Sequence, residues 1–76
     1  MIQELDRVVL KKHLPDLGLE AGDIGTVVLV HDGGRGFEVE FVTLGGDTVA
    51  VTTLNAEDVR PVDRNKIAHA RPVAAA

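Results

Sequence analysis

The chain has no cysteine, serine, tryptophan or tyrosine. Without cysteine there is no disulfide framework, no thiolate nucleophile and no thiolate-held zinc. The three histidines, His13, His31 and His69, lie too far apart for a short metal-ligand spacing. The missing serine removes a Ser-His-Asp arrangement outright. Aromatic side chains are confined to Phe37 and Phe41. A proline-stacking groove built on Tyr and Trp is therefore absent. Long hydrophobic runs are absent too: the longest, Val27 to Val30, falls far short of the roughly 20 residues a membrane helix needs. Met1 to Asp6 holds no basic stretch leading into an apolar one, so no signal peptide is expected and a cytoplasmic location follows. No cofactor motif is present, and none is expected.

Charge is present but uneven. Residues 1–62 hold eleven acids against five bases, a formal charge of −6, while residues 63–76 hold three bases against one acid. An acidic body repels phosphate backbones, which argues against nucleic acid as the main partner. At 76 residues the chain is one domain, near the size where a single core is marginally stable. Its core must come from Val, Leu and Ala with the two Phe.

Five strand-like segments alternate with turns. Arg7-Val8-Val9-Leu10 is the first. A long excursion from Lys11 to Gly25 follows, with no helical period. Within it, Gly22 suits a turn at positive φ, and Gly25 suits a bulge or close backbone crossing before a strand. Thr26 to His31 is the second strand, continuously apolar from Val27 to Val30 and so expected in a doubly covered or closed wall. Asp32-Gly33-Gly34-Arg35-Gly36 reads as a hairpin loop. Phe37-Glu38-Val39-Glu40-Phe41 alternates, with the apolar residues inward. Gly45-Gly46-Asp47 turns the chain into a fourth strand, Thr48 to Leu54. Asn55 to Asp58 reads as one helical turn, with the Asp58 carboxylate reaching back to the cap amide. Val59 to Val62 is a short last strand that Pro61 restricts to an edge or strand end. The fold expected is all-β: a small SH3-like barrel of about five strands with one helical turn before the last. It spans residues 1–62, with 63–76 as a C-terminal tail. The core expected is Val8, Leu10, Val27, Leu29, Phe37, Val39, Phe41, Val51, Leu54 and Val59, and Leu19 is the first choice to close the barrel end.

The combination of Leu14-Pro15, Gly22-Asp23-Ile24-Gly25-Thr26-Val27-Val28 and Val39-Glu40-Phe41, over roughly residues 3 to 62, resembles the small bacterial proteins grouped as domain of unknown function 4926. The resemblance implies an SH3-like barrel and brings no established activity, so no functional residue carries over. A looser similarity to the ribosomal KOW motif rests on its glycine corner, but basic residues around that corner are missing.

Several residues invite a chemical role. Glu38 and Glu40 sit about 7 Å apart on one strand face, yet acid–base work needs a pocket and a raised pKa; solvated outer-face residues is the plainer reading. Asp23 between glycines could bind a cation or close an Asx-type turn, the latter favoured. His13 beside Lys11 and Lys12 could meet an anion or simply lie in an exposed loop. Gly33, Gly34 and Gly36 lack the helix start and lysine of a phosphate loop, so a hairpin turn is expected. The stronger candidate is the loop that carries Leu14, Pro15 and Leu17, an apolar cluster rimmed by Asp16 and Glu20 that suits a contact surface or a cap on the core. The function expected is a non-enzymatic protein–protein interaction module, an accessory or regulatory partner of another bacterial protein. The partner is unidentified, and Leu14, Pro15 and Leu17 are its contact residues. Self-association through an exposed strand edge is the competing use of the surface. The alternatives are a KOW-like nucleic-acid binder using Arg7, Lys11, Lys12 and the tail, and an SH3-like accessory domain of an enzyme complex.

Overall fold

A computed structural model describes residues 1–73. Five antiparallel strands form one sheet: β1 (Arg7–Leu10), β2 (Ile24–His31), β3 (Gly36–Val42), β4 (Thr48–Asn55) and β5 (Val59–Pro61). Hydrogen-bonded neighbours run β4-β3-β2-β1-β5. The all-β, barrel-like architecture and the single 3₁₀ turn before β5 (Ala56–Asp58) are as the sequence leads one to expect. The hydrogen-bonded order is linear, so β4 and β5 remain as edges. Residues 74–76 of the expected tail lie outside the described residues.

Side-chain alternation decides which residues reach the interior. Val8, Leu10, Leu19, Val27, Phe37, Val39, Phe41, Leu54 and Val59 form one buried cluster. Two expected core residues are outside it: Leu29 is 45 % exposed and Val51 53 % exposed. Leu29 is displaced by a β-bulge. Val27 pairs with Val39 and Leu29 with Glu38, so Val28 is an extra residue and the phase of β2 inverts past it. Val30, paired with Phe37, packs against the cluster instead. Val51 pairs with Glu40 on the outer face, and Ala50, opposite Phe41, takes the inward position.

The excursion before β2 contains a 3₁₀ turn, Pro15–Leu17, where no helical element is expected from periodicity. Pro15 starts it and Gly18, at φ 73°, ends it, the usual asymmetry of helix-start proline and helix-end glycine on the smallest scale. Leu14 and Leu19 exchange backbone hydrogen bonds of 2.9 and 3.1 Å, closing the loop at its neck. Leu19 thereby enters the core.

Gly25 faces the interior from β2, opposite Val8. A Cβ there would lie 2.5 Å from Val39 Cγ1, 2.8 Å from Phe41 Cε1 and 3.0 Å from the Glu40 carbonyl oxygen. The glycine is required by space, not by φ. We expect Gly25→Val to lower stability by about 1–3 kcal/mol through overpacking, read as a fall in melting temperature; an unchanged melting temperature would mean the crossing is looser than these distances.

Candidate functional site

The loop 14–23 and the C-terminal segment meet in one place. Arg71 donates from Nε to Asp23 Oδ1 at 2.8 Å and from one terminal nitrogen to Asp23 Oδ2 at 2.6 Å, a parallel, two-point pair. The same nitrogen donates to the Gly18 carbonyl at 3.0 Å. The other lies 3.5 Å from Glu20 Oε2. The tail therefore folds back across the loop. Asp23 is more than a plain Asx turn. Its carboxylate accepts from the Glu20 amide at 2.8 Å, stapling the loop, and takes Arg71 from the other side.

The electrostatics follow from this pairing. Arg71's hydrogen bonds hold the Asp23 carboxyl below its usual range; burial opposes the shift, and the Glu20 amide adds to it. Asp23 in turn stabilises the charged guanidinium. A shallow cleft of about 530 Å³ opens beside the pair, walled by His13, Pro15, Leu19 and Pro72. His13 contributes its Nδ1 as acceptor for the Ala21 amide at 3.2 Å, so that nitrogen braces the loop.

The three residues expected as contact residues have different surroundings. Leu14 is half-buried and packs against the core cluster. Pro15 is exposed and lines the cleft. Leu17 is 40 % exposed. The signal that sequence reasoning missed is Arg71, whose partner is 48 positions away. Only its neighbourhood of opposite net charge hinted at it.

Elsewhere, Glu38 joins three strands. It is hydrogen-bonded to His31 Nε2 at 2.9 Å on β2 and accepts from Thr53 Oγ1 at 2.9 and 3.0 Å on β4. The His31 hydrogen bond, then that of Thr53, lowers its pKa, the reverse of what a general acid needs. Glu40 accepts from Thr48 Oγ1 at 3.3 Å. Both carboxylates work as cross-strand ties on the outer face. The glycine loop behaves as a hairpin turn, with Gly33 and Gly34 at φ 65° and 107° and the His31 carbonyl accepting from the Gly34 and Arg35 amides. Among the described residues no group of three or more His, Cys, Asp or Glu is placed to hold a metal ion. No helix among them is long and apolar enough to cross a membrane.

Residues 4–61 match the family described as Domain of unknown function (DUF4926). The chain belongs to this family. The match ends before Arg71, so the half of the site built from loop 14–23 is within the DUF4926 region and the half supplied by the tail is outside it. No curated protein and no solved structure matches the chain.

The pairing makes stability depend on pH in a definite direction. Asp23 has a folded-state pKa below its unfolded one, so its contribution is fully present above about pH 4 and is lost as pH falls through the lower, folded value. Asp23→Asn should therefore melt lower than the wild type at pH 7, and the gap should close on acidification below about pH 4. A gap that stays constant down to pH 2 would show that the loss is of packing rather than of charge.

Proposed function

We propose that this protein is a non-enzymatic protein–protein interaction module, an accessory or regulatory partner of another protein, with contacts centred on Pro15 and Leu17 and backed by Leu14. The observation that carries this reading is the exposed apolar turn at Pro15–Leu17. Asp16 stands between Pro15 and Leu17 in the turn, Glu20 follows it, and the turn borders an open cleft. Apolar and polar groups side by side are the usual composition of a protein contact. Its backbone is held in place by the Leu14–Leu19 hydrogen bonds, so little ordering cost is left for binding.

Other uses of the surface have less behind them. Self-association through β5 has only three residues to pair, and Pro61 brings no N–H. Of the bases a nucleic-acid surface would use, Arg7, Lys11, Lys12 and those of the tail, Lys12 and Arg71 are engaged in ion pairs, to Asp58 at 3.4 Å and to Asp23 at 2.6 Å. A band shift at low salt with steep salt dependence would favour that reading over ours.

Leu14 is a poor probe because it touches the core; Leu17 is the clean one. Leu17→Asp should leave the melting temperature within about 2–4 °C of wild type, as surface substitutions do. On the same reading it should abolish recovery of the partner that wild-type protein retains from cell extract. Retention of the same partner by both proteins would rule out this contact surface.

A further inference from the structure

The loop that holds Arg71 is tied together by hydrogen bonds of its own. Leu14 and Leu19 close the loop by their own hydrogen bonds. The Glu20 amide aligns Asp23. The Asp23 carbonyl accepts from the Leu10 amide and the Gly22 amide donates to the Leu10 carbonyl, each at 2.8 Å, tying the far end of the loop to β1. The result presents two carboxylate oxygens and one carbonyl as acceptors, with the Glu20 carboxylate alongside. Such a set fits the planar fork of a guanidinium and is mismatched to the point charge of an ammonium.

The segment that fills the notch is the opposite in character. Between Asp63 and Arg71 its one backbone hydrogen bond among the described residues runs from the Lys66 amide to the Asp63 carbonyl, and residues 63–70 are exposed. Arg71 is thus a tethered ligand in a receptor with hydrogen bonds of its own. A tether this short holds its ligand at an effective concentration in the millimolar range and competes with any ligand arriving from outside. The surrounding body, at −6, favours a basic visitor over an acidic one.

We propose that the Gly18–Asp23 notch is a recognition site for an arginine side chain presented by a partner protein, and that Arg71 occupies it in cis until the partner displaces it. This rests on the interaction-module reading and supplies its ligand chemistry. The partner segment places a guanidinium on Asp23 and the Gly18 carbonyl, and an apolar neighbour against Pro15 and Leu19, where Pro72 now lines the cleft. Displacement frees the tail, and the Pro15–Leu17 turn, exposed with the tail in place as well, serves the rest of the contact.

The test uses the full chain and a capped peptide copying residues 68–73. Binding is read from the amide NMR signals of Glu20 and Asp23. Arg71→Ala should bind this peptide saturably, the wild type about tenfold more weakly because its own arginine competes, and a peptide with lysine in place of arginine should bind Arg71→Ala no better than one with alanine. Arg71→Gln replaces the alanine variant if the latter loses its fold. Absence of saturable binding to the Arg71 variant, or equal binding of arginine and lysine peptides, overturns the site. Equal affinity of wild type and variant overturns the competition in cis. Concentration-dependent dimers of wild type that the Arg71 variant lacks would make a second copy's tail the ligand, and so overturn the assignment to a partner. Leu17→Asp reports on the interaction-module reading separately, since Leu17 makes none of the contacts to the guanidinium.

Discussion

The packing of Val39 and Phe41 of β3 against Gly25 of β2, its hydrogen-bonded neighbour, is the constraint from which the rest of the structure follows. Gly25 lets the β2 backbone come within van der Waals range of Val39, Phe41 and the β3 main chain. Val39 and Phe41 occupy the space a side chain on Gly25 would take, and Val8, Val27 and Val39 are fully covered in a core that has only two aromatic rings. Small β-branched side chains fill a tight interior well but span little distance. The bulge at Val28 follows on the same strand, increases local twist and re-phases the side chains beyond it.

Closing so small a core leaves one end to be covered by something other than a strand. That cover is the loop 14–23. It delivers Leu19 inward, keeps Leu14 half-covered and leaves Pro15 and Leu17 outside. The loop is regular in its own way: a proline-started 3₁₀ turn, a left-handed glycine and a carboxylate that captures the amide three residues back. Local hydrogen bonds and the buried Leu19 together hold it in place. A rigid, partly apolar, acid-bearing loop on a stable sheet is a surface that can be read by another molecule without first being ordered.

Two sets of polar ties link separate segments of the chain. On the outer face, Glu38 connects His31 and Thr53 across three strands, and Glu40 connects to Thr48. Around the loop, Asp23 and Arg71 connect the first third of the chain to its last described residues. The first set is neighbourly and belongs to the sheet. The second joins segments that share no strand pairing, and depends on the guanidinium fork for its geometry.

Sequence by itself determined the strands, the hairpins and the inward residues of β3, because a period of two is local and Phe37, Val39 and Phe41 display it without interruption. It also determined the role of Asp58, whose carboxylate accepts from the Asn55 amide at 3.0 Å, since that motif closes within four residues. Val27 and Leu54 were legible as core residues too, but the other inward residues of β2 and β4 were decided by the tertiary structure alone. An unbroken run from Val27 to Val30 carries no phase of its own, so the bulge set by pairing with β3 turned Leu29 out and Val30 in. Val51 and Ala50 likewise received their faces from Glu40 and Phe41 opposite them. The candidate site was legible only in half. Apolar residues on a proline- and glycine-bounded loop announce themselves locally, whereas an ion pair between positions 23 and 71 exists only once the chain has folded, because contact between distant charges is a property of the fold and leaves no period or spacing in the sequence.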